Sequence, residues 1–406
     1  MSILAPALAA ALSAAAAETS QTLSLLDATR VAMERNPELA EAASAARAAE
    51  LGVRGAGALP EPMVSYQAWQ QPLAHPFDPT ATNMHMIGIR QSLPFPGQLA
   101  IARRAARGEA AARRDDVRGR RLAVQAQVAH AHVGWWRAGE ELRVHLEQMR
   151  LAERTLAAVQ ARYDTGGARQ ADMLRAETDL HRLHADIAGI QESLRASQAL
   201  LAAAMGAPDE ALPPPAAPPV AIPDGGGERP EIASARAQAE RAGMMADLAA
   251  RARRAPDLMV GFDYMLMPGL PDAYSAMIQV GAPWLSARRA AEADRAEAEA
   301  QRARDAAAAV ANAARYEEAE ARARAQAAKA QLAVLEGDVA TRADRTVQAM
   351  RASYASGDAD LAPLIDAERV LLDARLSAVR QRAALADAAA DLRRALALDL
   401  LEEVKP

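Results

Sequence analysis

The sequence predicts a mostly α-helical chain with a small β part: long antiparallel coiled-coil helices and four short strands, arranged as an internal tandem duplication. Three observations carry this expectation. Aromatic residues make up only 3% of the 406 while 51% are hydrophobic, so alanine supplies most of the apolar surface, and Ala with Leu, Arg and Glu is the composition of long helices rather than of a thick core. From Gly97 to Tyr163, about 67 residues contain nothing that ends a helix, a run of ~100 Å at 1.5 Å per residue. The chain also says the same thing twice. "NPELAEAASAARAAE" from Asn36, "LPEPMVSYQAW", "IGIRQSLPFPG" and "RYDTGGARQADMLRAE" are matched in order by "RPEIASARAQAER" from Arg229, "APDLMVGFDYM", "MIQVGAPWLS" and "SYASGDADLAPLIDAE". Corresponding points such as Tyr163 and Tyr354 lie about 190 residues apart, a period far beyond that of solenoid repeats.

The elements follow in order. Residues Ile3 to Ala17 form an apolar stretch closing on "ALSAAAA", which reads as the core and small-residue cleavage site of a signal peptide over residues 1–17, without a positively charged segment before it. The first repeat spans residues 18–206. It opens with helix from Thr22 to Leu59, broken and restarted at Asn36-Pro37, since proline is tolerated in a first helical turn. Strands follow at Met63 to Trp69 and Met84 to Leu93, joined by a loop rich in Pro, Asp and Thr. The long helix from Gly97 carries Leu142, Leu146, Met149, Leu156, Val159 and Tyr163 at seam spacing; after "DTGGA" the next carries Leu180, Leu183, Ile187, Ile190, Leu194 and Leu201. "PPPAAPPVAIPDGGG" marks residues 207–229 as a linker. The second repeat, residues 230–406, reads as helix Pro230 to Ala255, strands Leu258 to Met267 and Tyr274 to Pro283, helix Ala287 to Tyr354 and helix Leu361 to Leu401. Its expected seam residues are Leu332, Leu335, Val339, Leu372, Leu376 and Val379.

Charge and composition exclude several functions. A net charge of −5, with both signs interleaved along the helices, lacks the concentrated basic face of a nucleic-acid binder. The absence of cysteine removes disulfides, thiolate nucleophiles and thiolate-bound zinc. No phosphate loop, nucleophile elbow or paired-carboxylate motif is present, so the chain reads as no enzyme and as needing no cofactor.

The strands carry the strongest functional signal. Leu258, Val260, Phe262, Tyr264 and Leu266 alternate with Met259, Gly261, Asp263 and Met265, and Tyr274, Ala276, Ile278 and Val280 with Ser275, Met277, Gln279 and Gly281. An isolated hairpin is marginal in water, so the partners of each must lie elsewhere. One apolar face opposite one mixed face is the pattern of a transmembrane β-barrel, although four strands cannot close one alone. A half-buried hairpin packed on helices is the alternative for a single pair; the duplication and the long helices favour the barrel.

These residues resemble a known family. "NPEL", "GALPEPMVSYQ", "IRQSLPFPGQL" and the paired Y-x-x-G turns at Tyr163 and Tyr354 are similar to the TolC-type outer-membrane efflux channels from Thr22 to Leu401, and "SLPFPG" is similar to their heavy-metal and cation-exporting branch. The resemblance implies a homotrimer in the outer membrane of a Gram-negative bacterium. Each chain would give four strands to a twelve-stranded barrel and its helices to a periplasmic tunnel. It implies partners as well: outer-membrane lipid, a periplasmic adaptor (membrane fusion) protein, and an inner-membrane pump of the resistance-nodulation-division type. The expected function is passive export of metal cations or small toxic compounds. A periplasmic coiled-coil adaptor or scaffold is the rival reading, disfavoured because adaptors hold one helical hairpin beside strand-rich domains.

The family's periplasmic tip carries a ring of carboxylates. Following Y-x-x-G, the matching residue is Asp366, with Tyr354, Asp358 and Asp360 beside it and Pro363 where relatives are often acidic; Asp366 stands where the first repeat has Arg175. Helix capping is the alternative role for Asp358 and Asp360. Gly166, Gly167 and Gly357 mark the turns expected to dock the adaptor. Many relatives of that branch carry an acylated N-terminal cysteine, which this chain lacks.

The metal-binding candidates are "NMHMIGIR" at Asn83 to Arg90, whose thioether and imidazole side chains suit copper or silver, and two histidine pairs. Met84 and Met86 alternate with His85 and so share the opposite face from it, as barrel filler would. His130 and His132 point to different helix faces, and His181 with His184 lacks a third ligand. Adjacent Trp135 and Trp136 cannot both face one seam, which sends one to the belt or a neighbouring protomer, and Trp69 and Trp284, at strand ends, suit an interfacial girdle.

Overall fold

The computed structural model describes residues 22–402; the leader expected at residues 1–17 lies outside them. Among the described residues the helices are α1 (Leu25–Arg35), α2 (Pro37–Ala56), α3 (Gln98–Asp164), α4 (Gln170–Ala204), α5 (Pro230–Ala252), α6 (Ala287–Val334), α7 (Ala340–Ser356) and α8 (Leu361–Ala395). The strands are β1 (Met63–Trp69), β2 (Met84–Leu93), β3 (Leu258–Leu266) and β4 (Ala273–Val280). The chain forms two compact units, one from residues up to 40, 120–229 and from 314, the other from residues 41–119 and 230–313.

The first unit is helical. Asn36 explains the break between α1 and α2. Its side-chain oxygen accepts from Glu38 N at 2.9 Å, capping α2, while its Nδ2 donates to Ala204 O at 3.0 Å and satisfies a carbonyl at the end of α4. Gly206 completes that junction. It ends α4 at φ +72°, and a Cβ there would stand 2.8 Å from the Arg35 carbonyl oxygen. Small side chains let the helices approach closely: Ala28, Ala32, Val124, Val128, Ala131 and Leu201 form one core around Trp135.

Trp135 and Trp136 are both buried inside this chain, Trp135 against the short helix α1, one of the segments expected to form the belt. Trp135 packs with the α1 alanines and Trp136 with Val133, Ala383 and Ala386, because adjacent helical positions serve two different neighbours. The seams hold in part: Val159, Leu183, Ile187, Leu201, Leu332 and Leu376 are buried as expected, while other positions shift. On α3 the buried stripe runs Val144, Gln148, Ala152, Thr155 and Val159, with Leu142, Leu146, Met149 and Leu156 half-buried beside it, and on α8 Leu371 rather than Leu372 joins the core of Ala343 and Val347. The helix expected from Ala287 to Tyr354 is interrupted by a π turn at Leu335–Val339. The wider turn carries Val339 off the seam into solvent. Helix α8 ends at Ala395, short of the expected Leu401, where Ala397 takes φ +54°.

His130 of α3 reaches α8 with both ring nitrogens, Nδ1 at 2.8 Å from Asp387 Oδ1 and Nε2 at 2.9 Å from Asp391 Oδ1. Both contacts need an N–H, so the ring is the imidazolium. The hydrogen bond to Asp387, then that to Asp391, push its pKa up to about 9 against the cost of burial. Arg324 of α6 adds a second cation to Asp391 at 3.2 Å.

The second unit holds one antiparallel sheet in the order β1-β2-β3-β4. The missing partner of each hairpin is the other hairpin: β2 pairs with β3 from His85↔Leu266 to Leu93↔Leu258. Strands β1 and β4 are the edges within the chain. The register sorts the side chains into two faces. One carries Val64, Tyr66, Ile87, Ile89, Phe262, Tyr264, Tyr274 and Ile278, all exposed. The other carries a row Ser65–Gly88–Asp263–Ser275. Asp263 lies across Gly88, where any Cβ would meet its carboxylate and the Ser65 hydroxyl, and Arg90 stands 3.5 Å away. Trp69 pairs with Met84 and belongs to this second face, whereas an interfacial girdle needs the apolar one; Trp284 is exposed in the turn after β4.

Two predictions follow from these junctions. Asn36→Ala removes a cap and orphans the Ala204 carbonyl, and should destabilise the helical unit by about 1–2 kcal/mol in thermal unfolding, with Asn36→Asp losing less. Because the folded pKa of His130 is raised, its contribution to stability is fully present below the unfolded value of 6.5 and is lost as pH rises through about 9. The unfolding midpoint of the wild type should therefore fall between those pH values more than that of His130→Gln.

Candidate functional site

Two turns in the helical unit are built alike. Gly166 after α3 and Gly357 after α7 both adopt the left-handed conformation, at φ +76° and +88°. Gly167 N donates to Arg162 O at 2.7 Å and Asp358 N to Ser353 O at 2.9 Å. Each is the six-to-one bond that closes a helix through a glycine. The paired Y-x-x-G motifs therefore encode two helix ends of one geometry.

The matching tyrosines differ in environment. Tyr163 is 40% exposed and Tyr354 6% exposed. Tyr354 sits among Val159, Ala176, Leu361, Leu364 and Ile365, with the Arg162 guanidinium 4.6 Å above its ring. Arg162 also donates to the Tyr354 carbonyl and, at 3.1 Å, to Gly167 O, so one side chain binds both turns. The Tyr354 hydroxyl is buried without a hydrogen-bond partner. Burial raises its pKa; the Arg162 charge opposes the shift.

Behind the turns, a hydrogen bond and an ion pair join the α3–α4 hairpin to α8. Glu368 is 1% exposed, accepts from Thr155 Oγ1 at 3.0 Å and from Arg351 Nη2 at 3.2 Å, and belongs with the apolar stripe Leu361, Leu364, Ile365 and Leu371. Burial pushes its carboxyl pKa up, only partly offset by those two donors. Asp179, also buried, takes Arg369 Nε and Nη2 on one oxygen at 3.0 and 2.6 Å. Together with Arg162 these residues clasp hairpin to hairpin. Sequence reasoning missed all of them. The readable signal was a carboxylate within an apolar stripe: Glu368 on α8, and Asp179 beside Ala176, Leu183 and Ile187 on α4.

The expected carboxylates lie outside that clasp. Asp366 is exposed on α8 and makes no ion pair among the described residues. Asp360 occupies the N-cap of α8 without a side-chain cap bond, and exposed Asp358 accepts from Ser356 Oγ at 2.7 Å. Neither performs the capping that was the alternative to a gate. The histidines are likewise accounted for. His132 donates Nε2–H to Leu23 O at 2.9 Å, and burial lowers its pKa despite that bond. His184 Nδ1 meets Leu180 O at 3.1 Å. Among the described residues no three His, Asp or Glu side chains converge on a metal position.

Comparison with known proteins agrees with this architecture. Residues 25–207 match the family model of the outer membrane efflux protein. Over the whole chain the fold is similar to that of the outer-membrane channel OprN, with TM-score 0.82 at 18% identity, covering 92% of this chain and 90% of that one. It is similar to CusC, whose structures concern folding and transmembrane channel formation, with TM-score 0.81 at 21% identity over 92% of each chain. It is similar also to the outer membrane protein VceC of Vibrio cholerae, with TM-score 0.76 at 22% identity over 92% and 96%. No curated protein matches by sequence. The family match over residues 25–207 and the fold shared with these channel structures agree with each other.

The clasp is testable by itself. A double-mutant cycle of Asp179→Ala and Arg369→Ala should give a coupling of about 1 kcal/mol or more in unfolding experiments, because either single change leaves a charge facing a buried or half-buried gap. Coupling near zero would mean that the contact holds nothing.

Proposed function

We propose that this chain is the outer-membrane channel of a tripartite exporter, assembling as a homotrimer whose twelve strands close one barrel. The single observation that carries the proposal is the sheet: an exposed face of Val, Ile, Phe and Tyr side chains, with Val64, Tyr274 and Ile278 each more than 70% exposed, bounded by two edges unpaired within the chain. A continuous apolar patch of that kind is covered in a working protein. Lipid covers it, and edge pairing between protomers satisfies β1 and β4, since a closed barrel removes the edges of an antiparallel sheet. Among the described residues no helix is long and apolar enough to cross a membrane, and the barrel is the membrane-crossing element.

In this reading the chain is a tandem duplication, with repeats at 18–206 and 230–406 and a linker at 207–229, preceded by a signal peptide at 1–17. Each repeat gives two strands to the barrel and its long helices to a periplasmic tunnel. The turns at Gly166, Gly167 and Gly357 meet a periplasmic adaptor, and a resistance-nodulation-division pump in the inner membrane supplies the energy. The cargo is metal cations or small toxic compounds, with "SLPFPG" favouring the heavy-metal branch. The exposed apolar sheet disfavours an adaptor or scaffold, which would have to hide it from water.

The gate in this reading is a ring of three Asp366 side chains, with Asp358 and Asp360 in the adjoining turn. Three like charges around an axis attract cations and repel one another. Tyr354, held under Arg162, is the fixed point from which α8 carries Asp366. Asp366→Ala should raise single-channel conductance or lower cation preference in planar bilayers; unchanged values would remove the gate assignment.

A further inference from the structure

The methionines of the sheet are sorted by chemistry. The four strands contain Met63, Met84, Met86, Met259, Met265 and Met277, and the register places every one on the face that holds Asp263 and Arg90. The apolar face has none. Conversely, the methionine face has no Val, Ile, Leu, Phe or Tyr among its strand positions. Hydrophobicity alone does not separate methionine from leucine, since the two exchange readily in apolar settings. What separates them is the thioether, a soft and polarisable ligand.

The six form two groups, one on each side of the Ser65–Gly88–Asp263–Ser275 row. In the first, Met86 and Met265 are direct cross-strand partners, a placement that sets Cβ atoms about 4.5–5.5 Å apart. Met84 lies two residues before Met86 on the same face. In the second, Met277 reaches over Gly261, its Cε 3.3 Å from where a Cβ would stand, with Arg90 closing from the other side at 3.2 Å. Met259 is the diagonal neighbour of Met277 across β3 and β4, within reach of a long side chain, while Met63 lies beyond Arg90 on β1. Gly261 leaves room for the overlap, and between the two groups the buried Asp263 carboxylate is paired with Arg90.

We propose that this face binds soft monovalent cations of the copper(I) and silver(I) class, with Met86, Met265 and Met84 as the principal ligands and Met259 and Met277 as a second station. The inference rests on the reading of the sheet as a pore wall, where it makes the mixed face a chain of weak soft-ligand sites along the path of the cargo. Neutral thioethers bind such ions without releasing a proton, unlike imidazole or carboxylate ligands. His85, on the opposite face and 2.7 Å from the Tyr66 hydroxyl, takes no part.

The test is a calorimetric titration of the full-length protein in detergent with silver(I), in chloride-free buffer. Saturable binding is expected, unchanged on acidification from about pH 7 to about pH 5.5 because thioethers do not titrate there. Met86→Leu with Met265→Leu preserves side-chain volume and should abolish the stronger site; Met259→Leu with Met277→Leu should remove the weaker, and His85→Gln should change neither. Absence of saturation, full binding by both double variants, or loss of binding with acid or with His85→Gln would overturn the inference. Conductance of the same preparation in planar bilayers separates the two readings. A conducting protein that binds no silver(I) ends this inference alone, and a silver-binding protein that never conducts ends the pore reading alone.

Discussion

The pairing of β2 with β3 is the constraint on which the sheet and its proposed role depend. These strands come from sequence segments about 170 residues apart, and their register decides every side-chain placement in the sheet. A slip by one residue would turn Phe262 and Tyr264 inward and Asp263 outward. The register is held from within by Gly88, the one position where the backbone of β2 can lie under the Asp263 carboxylate. Any side chain there would collide with the Asp263 carboxylate that pairs with Arg90. The strand pairing and the buried acid are therefore one feature, and the separation of an apolar face from a methionine-rich polar face is its consequence.

The helical unit solves a different problem with the same economy of side chains. Alanine cores allow close packing but bury little area per residue, so specificity falls to a few polar contacts. Asn36 and Gly206 fix the junction of α1, α2 and α4; His130 joins α3 to α8 as an imidazolium between two carboxylates. Arg162, Glu368 and Arg369 join the hairpins near their turns. Buried polar contacts of this kind add little net stability, yet they are costly to break one partner at a time. That asymmetry suits hairpins that hold one arrangement.

Much of this fold was legible in the residues. Both strands of the first hairpin, Met63–Trp69 and Met84–Leu93, coincide with the expected spans, because proline, glycine and alternation leave little freedom there. The break at Asn36-Pro37 and the glycine turns were equally readable, since Pro and left-handed Gly act locally. The π turn at Leu335–Val339 was not, because it lies within an unbroken Ala- and Arg-rich pattern with no proline to mark it. Some seam residues were displaced for a related reason. On a helix touching several neighbours, Val144 and Ala152 are buried while the larger Leu142 and Leu146 lie at the margin, and periodicity alone cannot say which stripe faces which neighbour.

The sequence by itself determined the element types, their doubled order and the pairing of an apolar with a mixed strand face, all of which depend on neighbours within a few residues. Only the tertiary structure decided that the two hairpins complete one another, that Trp135 and Trp136 both find partners within the chain, that Glu368 and Asp179 are buried clasps while Asp366 is exposed, and that six methionines share one face. Each of those facts depends on contacts between residues tens to hundreds of positions apart, and such contacts are set by register and packing rather than by any local preference of the chain.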